Sequence, residues 1–368
     1  MKQVKGLLLV LGLMFVLAAC GSSEGEGSSN GGQGGVSDMN GGNSANAGNA
    51  ADNGPDTANA APTGETVTVK FGEPLAEDHP LTQGSYRFKE LVEAKSGGEI
   101  VIEIYPNSQL GSLRELVEST QMGAIQMTRS IDSVYSGFVP ELEVLQYPYV
   151  MPTSEDEIQA LLGGEVGDAV LASFENYSLK ALGFWPQGYK MLTSNKPLLT
   201  PEDMRGVKMR VVPSNILVKQ YEAWGATPVA IDFAELYTAL QQGTADAQEN
   251  PVDSIYSTKM YEVQEHLSML NHAYQLNIIT VNKAWFDGLS AEHQAIIQEA
   301  HDEVTADYRE QYEQQKADLL AQLEEEGMEL HTLSEEQIDA FRELSLPLHD
   351  ALVQSGEQQA LLDLIRAQ

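Results

Sequence analysis

Apolar and polar residues alternate with period two along Thr66-Val67-Thr68-Val69-Lys70-Phe71-Gly72, and Glu73-Pro74 ends the run. That pattern predicts a strand. From Leu81 to Lys95 the apolar positions take helical spacing and stop at Ser96-Gly97-Gly98, a glycine-type helix end. Ile100 to Tyr105 predicts a second strand, Ser112 to Met122 a second helix and Ile125 to Ile131 a third strand. The β-α-β-α-β order predicts a mostly parallel sheet with helices on both faces.

A second block repeats the pattern. Strands are predicted at Lys180 to Trp185, Val207 to Val212 and Thr227 to Ile231, with helices around Glu202, from Ile216 to Trp224 and from Ala234 to Gln242. Thr200-Pro201 has the form of an N-cap followed by Pro at the first helical position. Ala291 to Glu326 predicts one long charged helix, and Ser334-Glu335-Glu336-Gln337 a capping box opening another. Two α/β lobes joined by crossing segments and a long helix imply a cleft, with ligands at the carboxyl ends of the strands.

The N-terminus lies outside this pattern. Lys2 and Lys5 precede an apolar run from Leu8 to Ala19 that is too short for a stable bilayer span and reads as a secretory signal. It ends in Leu17-Ala18-Ala19-Cys20-Gly21-Ser22, which resembles a bacterial lipobox, so Cys20 is expected to carry lipid and anchor the chain to a membrane. As the sole cysteine, a lipidated Cys20 leaves no thiol for a disulfide, metal site or nucleophile in the mature domain. Residues 21–65 are Gly, Ser, Asn and Ala with scattered acids, and read as a flexible tether with a reach of roughly 35–40 Å.

Charge narrows the partners. The chain has 54 acidic and 21 basic side chains and a formal charge of −33, which becomes −35 without Lys2 and Lys5. Nucleic acid and anionic lipid surfaces are disfavoured as partners. From Thr66 onward no Walker or Rossmann glycine loop, HExxH or GxSxG motif occurs, and the seven His residues are scattered. His293 and His301 fall on the long helix, where they are expected to be exposed. Neither enzyme activity, nor a cofactor, nor a metal site is expected.

Scarce cations are more informative. Arg210 sits in an apolar run that Pro213-Ser214 terminates, which sets its guanidinium near the strand's carboxyl end. Only arginine offers a planar donor fork for a carboxylate, although a structural ion pair would use it equally well. Asn250, before Pro251, has an amide that both donates and accepts, and is also a common turn former.

The blocks "DHP", "KSGGEIVIEIYPNSQLGSLRELVESTQMGAIQMT", "FVPELEVLQYPYV", "LTSNKPLLTPEDMRGVKMRVVPS", "ATPVAIDFAELYTALQQGTADAQENP" and "YEVQEHL" together resemble the solute-binding proteins of TRAP transporters, the DctP type, from about Thr66 to the C-terminal helices. The resemblance implies a two-lobe, periplasmic-binding-protein-like α/β fold of the Venus-flytrap kind, with the long helix spanning both lobes. Lobe I is expected to comprise 66–187 and about 276–315, and lobe II 188–275 and about 316–368. The implied function is capture of a small organic anion, a C4-dicarboxylate or a sugar acid, outside the cell. The anion would pass to a permease of small and large membrane subunits. A sensor subunit for the same carboxylates is the alternative. The resemblance gives Arg210 the carboxylate clamp, Asn250 a hydrogen bond to the same region and Phe233 a cover over the ligand; Ser214 joins them as a candidate contact.

Two departures bear on the ligand. Lys190 stands where many relatives have arginine, keeping the charge and losing the fork. Arg129 stands where relatives often have an aromatic or small residue. If Arg129 faces the cleft, it could join Lys190 and Arg210 in a pocket for a dianion. If it faces away, it would pair with a surface carboxylate. Ile131 replaces the acidic residue of sialic-acid binders, so sialate is not an expected ligand.

Overall fold

The strands β1 (Val67–Gly72), β2 (Ile100–Tyr105), β3 (Met127–Ile131), β4 (Leu179–Tyr189) and β10 (Tyr274–Asn282) form a sheet in the order β2-β1-β3-β10-β4. A second sheet has the order β11-β9-β5-β8-β6-β7, built from β5 (Met191–Ser194), β6 (Lys208–Val211), β7 (Thr227–Ala230), β8 (Ala247–Asn250), β9 (His266–Met269) and β11 (Glu329–Thr332). This computed structural model describes residues 66–368. The signal, Cys20 and the tether lie outside them. Among the described residues no helix is long and apolar enough to cross a membrane.

The predicted parallel sheet is mixed. β1 runs parallel to β2 and β3, whose helical crossovers are Pro80–Lys95 and Leu113–Gln121. β10 instead enters directly from β9 of the other sheet and lies antiparallel between β3 and β4. A direct passage between sheets needs no helical crossover, so the strand arrives with reversed polarity.

Most predicted elements form within a residue or two of their expected limits. The helix around Glu202 does not. The Asp203 carboxylate accepts from the Leu199 and Thr200 amides and the Thr200 hydroxyl, so the capping pattern closes turns over 200–206 instead of starting a helix. The stretch from Ala234 to Gln242 begins as a 3-10 turn, Phe233–Glu235, and continues as the helix Leu236–Gln241.

The long helix Ala291–Glu325 ties the sheets together. Ile297, Ala300, Val304, Tyr308 and Tyr312 pack into the core under the first sheet, and Leu319, Leu320 and Leu323 into that under the second. Its approach to β4 is close: a Cβ on Gly188, whose φ is +99°, would lie 1.5 Å from the Tyr312 hydroxyl. His301, expected to be exposed, is buried with its ring stacked on Trp185 at 6.1 Å, because it lies on the face turned toward β4. His293 is half-buried, with Nε2 3.0 Å from Glu99. A third core joins residues of both sheets, among them Ala181, Phe184 and Ile278 of the first and Leu192, Met209 and Ala247 of the second, to the C-terminal helices Glu335–Leu352 and Gly356–Arg366.

Candidate ligand-binding site

β6 pairs parallel with β7 and β8, with Arg210 opposite Val229 and Gln248. Paired residues share a sheet face and alternate residues return to it, so Arg210, Gln248 and Asn250 lie on one face. Asn250 donates its amide to the Gln248 side-chain carbonyl, and Gln248 donates to the Thr193 hydroxyl at 2.9 Å. The short strand therefore ends in a connected row of amides.

Arg210 is 1% exposed. Its Nε donates to the Ile231 carbonyl at 2.9 Å, while Nη2 is buried without a partner. Burial pushes its pKa down to about 10, with Glu249 and Asp232 opposing, so the guanidinium stays charged at neutral pH. It makes no ion pair among the described residues. Leaving such a donor unmet costs free energy, which an incoming carboxylate would recover.

The other two buried cations have carboxylates of their own. Arg129 meets a buried acid and not a surface one. Its Nε donates to Glu73 Oε2 at 3.0 Å, Nη2 binds the other carboxylate oxygen, and Nη1 binds Asn277. Glu73 is fully buried and also accepts from the Ser85 hydroxyl at 2.9 Å and the Leu75 amide at 3.1 Å. Lys190, between β4 and β5, places Nζ 2.9 Å from Glu249 Oε1. The other Glu249 oxygen accepts from Tyr221 at 2.5 Å and meets His272 Nε2 at 2.8 Å. Burial would raise the Glu249 pKa, but Lys190, His272 and Tyr221 together hold it well below the usual carboxylate range.

Further polar atoms are buried without partners where β3 ends: the Ser130 and Ser133 hydroxyls and one oxygen of Asp132. Burial pushes Asp132 up to about 6 against the pull of Lys190. Ser214 caps the helix Asn215–Ala223 and donates to Gln146 at 2.7 Å, leaving the Gln146 amide nitrogen unpartnered. Phe233 is half-buried between the cores of the two sheets and lines both a cavity of about 180 Å³, with His79 and Tyr237, and one of about 40 Å³, with Val134 and Val212. Arg210 has a buried Nη2 with which it can donate to an anionic group.

Sequence reasoning did not single out Glu73, Glu249, Gln187, Asn277 or Asp253. Gln187 donates to Asp253 at 3.0 Å and accepts from Asn277 at 2.8 Å, extending the network beside Arg129. Burial raises Asp253 to about 6, and His79, lowered by burial and by Arg129, lies 3.7 Å from it. Glu73 and Glu249 lie at or near strand ends, but 54 acids in one chain obscure that signal, and Gln187, Asn277 and Asp253 share no local pattern.

The profile of the family described as bacterial extracellular solute-binding protein, family 7 (DctP), matches residues 71–355. The chain belongs to the DctP family. Members are solute-binding proteins, not enzymes, and act outside the cytoplasm. The C4-dicarboxylate-binding periplasmic protein DctP of Rhodobacter capsulatus is 35% identical over 293 residues, covering 79% of this chain and 87% of its own length. A TRAP periplasmic solute-binding protein from Desulfovibrio salexigens, solved with bound orotic acid, superposes with a TM-score of 0.79 at 34% identity, covering 82% of this chain and 98% of that one. The sugar acid binding protein DctPAm from Advenella mimigardefordensis, in complex with galactonate, gives 0.78 at 28% identity, covering 82% and 99%. The two sheets bridged by the long helix are thus the two-lobe fold of DctP proteins.

Proposed function

We propose that the chain captures a small organic acid with a single carboxylate and several hydroxyls, a sugar acid in class, between its two lobes and passes it to a TRAP permease of small and large membrane subunits. The observation that carries this reading is Arg210, a buried guanidinium with a free Nη2 and no carboxylate partner among the described residues. Arg129 and Lys190 add no net charge, because Glu73 and Glu249 neutralise them. One uncompensated cation favours one anionic group, since a second carboxylate would enter a dry site beside Asp132 and Glu249. Asn250 and Phe233 would flank the carboxylate, and the orphaned groups at Ser130, Ser133 and Gln146 would meet hydroxyls. The lobes would divide as 66–187 with about 276–315, and 188–275 with about 316–368. Lipid on Cys20 and the 21–65 tether would hold the receptor near its permease.

A thermal-shift screen of the chain from Thr66 onward tests the ligand class, with aldonates, uronates, simple monocarboxylates and C4-dicarboxylates at neutral pH. A ligand at a hundred times its Kd adds about 2.7 kcal/mol of stability. Aldonates or uronates are expected to raise Tm and succinate or malate not to. A shift confined to dicarboxylates overturns the single-carboxylate reading.

A further inference from the structure

On the flank of the second sheet, β9 and β11 run parallel, with Glu329 opposite His266 and His331 opposite Ser268. Residues two apart on a strand share a face, so Glu329 and His331 project from β11 on the side where His266 projects from β9. His266 Nδ1 lies 3.1 Å from His331 Nε2 and 3.4 Å from Glu329 Oε2. One ligand atom from each residue falls within 4.8 Å of the others. A tetrahedral zinc ion, with ligands at about 2.0–2.2 Å, separates neighbouring ligand atoms by about 3.3–3.5 Å. The three groups therefore stand close to the spacing that one ion requires.

We propose that His266, His331 and Glu329 bind a divalent transition-metal ion of the zinc type, with solvent in the fourth position. Two imidazoles and a carboxylate suit zinc, nickel or copper and not magnesium or calcium, which take oxygen ligands. Glu329 is 70% exposed, so an ion reaches the site from solvent, and the chain's large negative charge draws cations toward it. Ser268, on the same face of β9, has a buried hydroxyl with no partner, a further polar group beside the ion's position in the register. The site is separate from the organic-acid site. Strands β5 and β8 intervene between β9 and β6, about 14 Å at ordinary strand spacing. Metal would fasten β11, the strand after the long helix, to β9. Sequence spacing hid the cluster, because His266 and His331 are 65 residues apart.

The test uses the full mature chain, stripped with a chelator and titrated with zinc chloride by calorimetry and thermal melting, with magnesium chloride as control. One equivalent of Zn2+ is expected to bind and raise Tm, Mg2+ to do neither, and Co2+ to give the visible absorption of a tetrahedral site. H331N should abolish the response. E329Q, at an exposed position that does not endanger folding, should weaken Zn2+ binding by at least about tenfold. Far-UV circular dichroism of both variants should match the parent. Absence of any Zn2+-dependent shift in the stripped chain, or an undiminished shift in both H331N and E329Q, overturns the site.

Discussion

Arg210, on β6 of the second sheet, and Arg129, on β3 of the first, are both 1% exposed, and replacing each by methionine should have opposite consequences. Methionine keeps an unbranched stem of similar reach, so neither change opens a large cavity. Arg129→Met leaves Glu73 buried without its guanidinium, a type of loss that costs about 3–5 kcal/mol. Arg210→Met removes a charge that has no carboxylate to leave behind and releases only the Ile231 carbonyl, about 1 kcal/mol. Ligand binding should reverse the ranking. Removing one side of a buried, charge-assisted contact costs about 2–5 kcal/mol, which weakens binding by roughly 30- to several thousand-fold at 1.4 kcal/mol per decade. Urea denaturation and calorimetry on the two variants and the parent measure both quantities. Equal losses of folding stability in the two variants, or parental ligand affinity in Arg210→Met, would refute the assignment of Arg210 as the open cation.

Three other outcomes are expected. Glu249→Gln leaves Lys190 and His272 buried without their anion and should cost about 3–5 kcal/mol in urea denaturation; it should also free Lys190 and let C4-dicarboxylates bind. Folded Asp132 holds its proton to about pH 6 where the ordinary value is 3.8, so its contribution to stability falls as pH rises through that window. Asp132→Asn should therefore stabilise the chain by up to about 3 kcal/mol at pH 7 and hardly at all at pH 4, and an equal effect at both values contradicts the argument. Gly188→Ala places a Cβ on the Tyr312 hydroxyl at a positive φ, and its Tm should fall while that of an exposed substitution such as Met122→Ala stays put.

Much of the architecture was legible because amphipathic period survives in a single sequence. The strands flanking Pro80–Lys95, the capping box at Ser334 and the long helix all follow from apolar spacing and end signals. Strand polarity was not, since β10 looks the same whether it enters through a helix or straight from β9. The turn at Thr200 misled because its capping residues satisfy the same amides in one turn as in a helix start. Within the site, the scarcity of cations pointed to Arg210, and departures from the pattern of the resembling family pointed to Arg129 and Lys190. Which of them remained open depended on Glu73 and Glu249, 56 and 59 residues away along the chain from their partners. Pairing over such distances leaves no local pattern, and the burial of His301 against Trp185 was hidden for the same reason.

Glu249 has a mechanical side as well as an electrostatic one. The chain passes between the sheets at Lys190, after β4, and again at Leu270–Ala273, before β10, and the Lys190 amide bonds the Ala273 carbonyl at 2.9 Å. Each passage sends one side chain, Lys190 or His272, to the same carboxylate on β8. Each also has a residue with positive φ beside it, Gly188 at +99° and Asn271 at +50°. Both connecting ribbons are thus pinned at one point on the second lobe. Together with the long helix, this pin leads us to expect that any relative motion of the lobes is a swing about it, with the torsional change taken up at Gly188 and Asn271, because sliding one lobe along the other would pull a lysine and a histidine off a buried anion.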